Sequence, residues 1–215
     1  MKKIVFVIGM HRCGTSLLSN CLVENGFSIG KRKNKDKNWQ NPNGYFENNS
    51  FTKFHNDILE YNNSTWCRIR KNNMEYTKKH IDQYKKIIED EFEDCDLILI
   101  KDPRLSFFTD FLNDVCKELN IQHYFIFCTR NKEECCMSLE KAQNLKHSIS
   151  DKLYDDTMSK YKKDFLKVDY NDMVYKNNET MKNIFQYLKL ENNIDTNNIV
   201  DENLYRNRLK VNSEQ

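Results

Sequence analysis

Four short runs of β-branched and aromatic residues set the limits on this 215-residue chain: residues 3–8 (KIVFVI), 96–100 (DLILI), 123–129 (HYFIFCT) and 165–170 (FLKVDY). Each is apolar throughout or nearly so, and each is too short to make a stable helix. Such runs predict strands covered on both faces, as in a parallel sheet. Between them the apolar spacing changes to the helical one. A helix is expected over about Thr15–Glu24, with Leu17, Leu18, Cys21 and Leu22 inward and Asn25-Gly26 as its stop. Phe51, Phe54, Ile58 and Leu59 mark a second helix, and Ile81, Tyr84, Ile87, Ile88 and Phe92 a third. Leu105, Phe108, Leu112, Val115 and Leu119 mark a fourth. Two more follow, one from about Lys132 to Leu145 and one over ETMKNIFQYLKL. Strands alternating with helices predict an α/β fold, three-layer α/β/α around a central parallel sheet. With no internal repeat and no linker, residues 1–215 read as a single domain.

Ligands of such sheets sit beyond the carboxyl ends of the strands, so the residues just after each run carry the interest. The first run leads into GMHRCGTSLL, residues 9–18, which has the outline of a phosphate-binding loop. Gly9 and Gly14 keep the spacing of G-x-x-x-x-G-K-[ST], but Thr15 stands where the lysine should be and a cation, Arg12, precedes the second glycine. The glycines let backbone N–H groups approach an anion, and the helix starting at Thr15 aims its positive end there. Thr15 and Ser16 add hydroxyls, and Arg12 adds a fork for two oxygens. Two further strand ends carry cations, Lys101 in KDPR and Arg130 in RNKEE. Three cations at one sheet edge imply a multiply anionic ligand. Asp102, followed by Pro103 and flanked by cations, is a poor magnesium ligand, which weakens the kinase and ATPase readings.

Composition excludes several classes. A net charge of +2 gives no basic field for long nucleic acid. No stretch approaches the roughly 18 apolar residues of a membrane span, and the N-terminal run lacks a signal peptide's cleavage site. Eight cysteines without a C-x-x-C pair read as reduced thiols of a cytoplasmic protein, with Cys135-Cys136 as helix packing. The basic run 31–37 reads as a solvated loop, or else as an attractor for an anionic acceptor.

GMHRCGTSLL resembles the 5′-phosphosulfate-binding loop of sulfotransferases, enzymes that use 3′-phosphoadenosine-5′-phosphosulfate (PAPS). CTRNKEECCMSL is similar to the family's 3′-phosphate site, with Arg130 at a strand end and Ser138 on the next helix. NPNGYFEN, KDPRL and VDYNDMV resemble segments of bacterial members, and the likeness covers residues 3–190 in order. It implies a P-loop NTPase-like fold, PAPS as sulfuryl donor and no metal. The implied nucleotide contacts are Arg12, Cys13, Gly14, Thr15, Ser16, Arg130 and Ser138. Cys13 departs from the serine of many members, a tolerable change where backbone groups bind the phosphate.

The missing lysine then has an explanation, because sulfuryl transfer needs no magnesium bridging two terminal phosphates. Glu47 looks like the glutamate that deprotonates the acceptor in carbohydrate sulfotransferases, with Lys101 and Arg12 stabilising charge on the transferring group and the leaving phosphate. The acceptor is expected to be a hydroxyl or amine, on a carbohydrate if the glutamate likeness holds. His55 and His11 are the alternative bases. Arg104 has two readings, acceptor contact or loop fixation, and Arg206 and Arg208 match a late basic segment of the family only loosely. Two other functions compete: a non-catalytic nucleotide-binding module of the same fold, and a P-loop kinase with an atypical loop.

Overall fold

The computed structural model describes residues 2–33, 44–71 and 73–191. Arg206, Arg208, most of the basic run 31–37 and the Asn41-Pro42-Asn43 part of the expected turn lie outside them. Four strands form one sheet: β1 (Lys3–Gly9), β2 (Leu97–Lys101), β3 (Gln122–Thr129) and β4 (Leu166–Asp169). Their order is β2-β1-β3-β4, and every pairing is parallel. The α/β/α architecture with a central parallel sheet is therefore as the sequence predicts. β1 is central, with Val5 opposite both Leu99 and Tyr124, and Ile4 to Ile8 are at most 1% exposed. Five side chains covered on both sheet faces explain why this run does not alternate.

Helices fill the connections: α1 (Thr15–Glu24), α2 (Asn49–Tyr61), α3 (Lys78–Glu91), α4 (Thr109–Leu119), α5 (Lys132–Gln143), α6 (His147–Met158), α7 (Tyr170–Tyr175) and α8 (Asn177–Tyr187). Right-handed crossovers put α1 and α8 on one face of the sheet and α4, α5 and α6 on the other. Ring contacts agree: Phe27, after α1, meets Phe185 of α8, while Phe127 of β3 meets Tyr161, after α6. Among the described residues no helix is long and apolar enough to cross a membrane.

Three sequence expectations change. The helix expected from Leu105 starts at Thr109, because Pro103–Phe107 form a separate 3₁₀ turn capped by Asp102, whose Oδ1 accepts the Arg104 N–H at 2.9 Å. The helix expected to reach Leu145 ends at Gln143, with Asn144 in the left-handed region as its C-cap. After it comes α6, which no apolar pattern announced, since two of its three buried residues are Ser150 and Thr157. The last helix begins earlier, at Asn177, after the separate turn of α7.

All eight cysteines are free thiols. A buried carboxylate at the end of α3 clasps the segment after α1 to the start of α2. Glu91 Oε2 accepts from the Arg32 N–H and Asn48 Nδ2, and its Oε1 from Ser50 Oγ and Arg32 NH1, at 2.8–2.9 Å. This fixes Asn48, the N-cap of α2, and with it the residue before.

Candidate functional site

The carboxyl ends of β1, β2 and β3 gather the expected residues into one region. β1 ends in a loop with two residues of positive φ, Arg12 (71°) and Gly14 (87°). Gly9 and Gly14 serve the protein's own packing as well as any anion. A Cβ on Gly9 would lie 2.5 Å from the Cys128 carbonyl oxygen, and one on Gly14 would lie 2.5 Å from Tyr170 Cδ2. Among the described residues no side chain caps the N-terminus of α1, so its first amides face the loop. Ser16 Oγ donates to the Tyr45 carbonyl at 3.4 Å, and Thr15 is buried.

The two phosphate motifs meet. Arg12 Nε donates to Ser138 Oγ at 3.0 Å, and Arg130 NH1 donates to the Arg12 carbonyl at 3.3 Å. Arg130 also pairs with Glu134 at 2.9 Å and lies 4.3 Å above the Tyr170 ring. Among the described residues Arg12 has a hydroxyl partner but no carboxylate. Burial, followed by the opposing Tyr45 and then the like-charged Arg130, leaves its guanidinium below its ordinary pKa. Cys13 Sγ touches Cys135 Sγ at 3.2 Å, and burial drives the Cys13 thiol well up, so it stays protonated.

The third cation is not in solvent. Lys101, 2% exposed, donates to Glu47 Oε1 at 2.7 Å and to the Tyr45 carbonyl at 3.0 Å. Glu47 remains 17% exposed. It follows Phe46, whose φ is +55°, a strained value for a bulky side chain and one that clusters at functional sites.

His55 is where a catalytic base should not be. It is 1% exposed, with Nδ1 2.8 Å from Asp102 Oδ2 and Nε2 3.2 Å from Tyr84 Oη. Burial pulls its pKa down, so the ring is neutral. Burial pushes the Asp102 carboxyl up, but Arg104 and His55 overcome this and hold it far below the carboxylate range. An ionised Asp102 only accepts, so His55 carries its proton on Nδ1 and its Nε2 accepts a hydrogen bond from the Tyr84 hydroxyl. Asp102 also binds Arg104 through Nε and NH2, at 2.7 Å each, and Asn56 takes Arg104 NH1. Asp102 is thus an internal strut rather than a metal ligand, and Arg104 is fixed to the loop.

His11 is half-buried, its ring edge-on to Trp66 with centroids 5.2 Å apart. Burial first, then Lys101, Arg104 and Arg12 against the opposing Asp102, lower its pKa to about 3. Sequence reasoning did not single out Trp66, Tyr45, Tyr170 or Glu134. An aromatic in a loop carries no signal of its own until the fold brings it to the sheet edge.

No protein-family model and no curated protein matches the chain. Solved structures do. The sulfotransferase domain of the Synechococcus olefin synthase aligns over 94% of this chain and 76% of its own, at 15% identity and a TM-score of 0.51. The sulfotransferase domain of the curacin biosynthetic pathway aligns over 89% and 75%, at 12% identity and a TM-score of 0.49. With a parallel sheet, a glycine loop after β1 and cations at three strand ends, the fold of this chain is that of a sulfotransferase domain.

Proposed function

We propose that the chain is one sulfotransferase domain that moves a sulfuryl group from PAPS to an acceptor hydroxyl or amine. The observation that carries this reading is Arg12. It is a half-buried cation in the loop after β1, held by a serine hydroxyl, with Arg130 at its backbone and, among the described residues, no carboxylate to balance it. A buried charge without a counter-ion is costly, and an anion at the loop offsets that cost.

The residues fit the nucleotide. The Cys13 N–H donates to the Met10 carbonyl at 3.2 Å, so the amides of Gly14 to Ser16, at the start of α1, are the ones that suit a 5′-phosphate. Arg130, fixed by Glu134 and the Tyr170 ring, suits a 3′-phosphate together with Ser138. Bound there, PAPS supplies the sulfuryl group. Glu47 takes the acceptor proton, and Lys101, paired with that carboxylate at 2.7 Å, turns to the developing negative charge. Arg12 stabilises the leaving phosphate. His55, with both nitrogens engaged in the core, fixes Asp102 instead. A sugar hydroxyl is the acceptor that a glutamate base suits by family likeness, and a soluble cytoplasmic setting suits eight free thiols.

Calorimetric titration with 3′-phosphoadenosine-5′-phosphate (PAP), ADP and Mg-ATP tests the reading. PAP should bind more than tenfold tighter than ADP, a difference of about 1.4 kcal/mol per decade. Equal affinities overturn the 3′-phosphate site, and a preference for Mg-ATP restores the kinase.

A further inference from the structure

The sheet order divides the candidate site. Arg130, Ser138 and Tyr170 belong to the side of β3 and β4, while Lys101, Asp102 and Arg104 leave β2 on the other side of β1. Trp66 follows α2, whose His55 and Asn56 hold Asp102 and Arg104 at the end of β2, so the His11 ring, in the loop after β1, meets it on the β2 side. A partly buried indole, packed in part against the core, therefore stands at the loop after β1 on the side of the Lys101–Glu47 pair and away from the proposed 3′-phosphate pocket.

The segment carrying Trp66 is built to hold it still. Thr65 and Arg68 exchange both backbone hydrogen bonds, at 3.0 and 3.1 Å, so Trp66 and Cys67 are the two central residues of a closed turn. Ser64 Oγ accepts the Arg70 N–H at 3.0 Å. Behind the turn, the fully buried Asn62 side chain joins the two ends of the excursion. Its Nδ2 donates to the Ile58 and Glu75 carbonyls at 2.8 and 3.0 Å, and its Oδ1 accepts the Glu75 N–H at 2.8 Å. Such bonds remove the ordering cost that a mobile aromatic would incur on binding.

We propose that Trp66 is the acceptor platform, a specificity-determining residue against which a hydroxylated ring, phenol or pyranose, lays its face next to Glu47. An indole offers a large apolar surface with little rotamer freedom to lose. Both a phenol and the C–H face of a pyranose complement it, and both carry the hydroxyl that the proposed chemistry needs. The neutral His11 ring backs the indole without adding a charge that an uncharged ring would have to desolvate. This rests on the sulfotransferase reading, and its test separates the two.

The chain has two tryptophans, Trp39 and Trp66, so Trp39→Phe leaves Trp66 as the emitter. PAP is titrated first, by calorimetry, into the wild type, Trp66→Ala and Trp66→Phe. Failure of PAP to bind the wild type defeats the sulfotransferase reading itself. With PAP bound, saturable changes in Trp66 emission are sought with 4-nitrophenol, methyl glucoside and, as a ringless hydroxyl, 1-butanol. One of the two rings should bind at least tenfold better than butanol, and which one decides between phenol and sugar. In transfer assays Trp66→Ala should raise KM for that ring tenfold or more with kcat changed less than threefold, and Trp66→Phe should restore most of it. Far-UV circular dichroism and cooperative thermal unfolding like those of the wild type show that both variants fold, and their PAP affinity should stay within threefold of it. A tenfold loss of PAP affinity in folded Trp66→Ala would make Trp66 a nucleotide platform. That result, or no ring preference over butanol, overturns the proposal.

Discussion

Glu91→Gln is the perturbation whose size can be worked most directly from the structure. The carboxylate is fully buried and takes four hydrogen bonds, from Arg32 twice, Asn48 and Ser50. Burial raises its pKa, and these four donors more than reverse that, lowering it from 4.5 to about 2. Each tenfold change in proton affinity is worth roughly 1.4 kcal/mol, so the ionised form stabilises the fold by about 3 kcal/mol. The sign follows from a lowered folded pKa. The stabilisation is complete above pH 4.5 and is lost as pH falls from there towards about 2. Glutamine keeps the size but replaces an acceptor with a donor, facing Asn48 Nδ2 or Arg32, so the variant should lose about the same 3 kcal/mol at pH 7. Reversible urea unfolding should show a midpoint lower by about 1.5 M at a slope of roughly 2 kcal/mol/M. Across a series from pH 7 to pH 3 the gap between wild type and variant should shrink to roughly 1 kcal/mol. Other titrating groups cancel in that difference. A gap under 1 kcal/mol at pH 7, or one that does not change with pH, refutes the clasp. Because the clasp holds Asn48, next to Glu47, the variant should also lose turnover without a matching loss of PAP affinity.

The remaining predictions concern the site. Arg12→Ala should weaken PAP by about 10- to 100-fold in calorimetry, and EDTA should change neither binding nor turnover; a magnesium requirement would reinstate a kinase-type loop. Glu47→Gln should leave PAP affinity within about threefold while single-turnover transfer falls on the order of a hundredfold; unchanged transfer removes Glu47 as the base. Gly14→Ala should cost stability and PAP affinity together, on the order of 1–3 kcal/mol in thermal unfolding, because the new methyl meets the Tyr170 ring under Arg130 and φ is +87°; a neutral effect would show that the loop relaxes freely. His55→Ala should lower stability by roughly 2–4 kcal/mol through the exposed Asp102–Tyr84 ends of its network, whereas folded protein should keep most of its transfer activity.

Sequence alone determined the architecture and the chemistry-bearing loop, and physics says why. Residues 3–8 are apolar on both faces, so only a central parallel strand satisfies them. The same run delivers Gly9, Arg12 and Gly14 to the carboxyl edge, where ligands of such sheets bind. Local spacing also gave α1 to its last residue, because the Asn25-Gly26 stop acts within one turn. What depends on long-range approach was not legible. α6 buries serine and threonine rather than an apolar stripe, so no periodicity announced it. Lys101 was legible as a cation at the ligand edge, but not its partners, since the fold closes Glu47 and the Tyr45 carbonyl over it from 54 and 56 residues away. His55 looked like a possible base until Asp102 and Tyr84 took both its nitrogens into the core. Arg12 and Ser138, 126 residues apart, became partners only because β1 and β3 lie side by side. A sequence states which side chains exist and how each local segment turns; which charge is neutralised, and by what, is set by the packing that brings distant segments within hydrogen-bond reach.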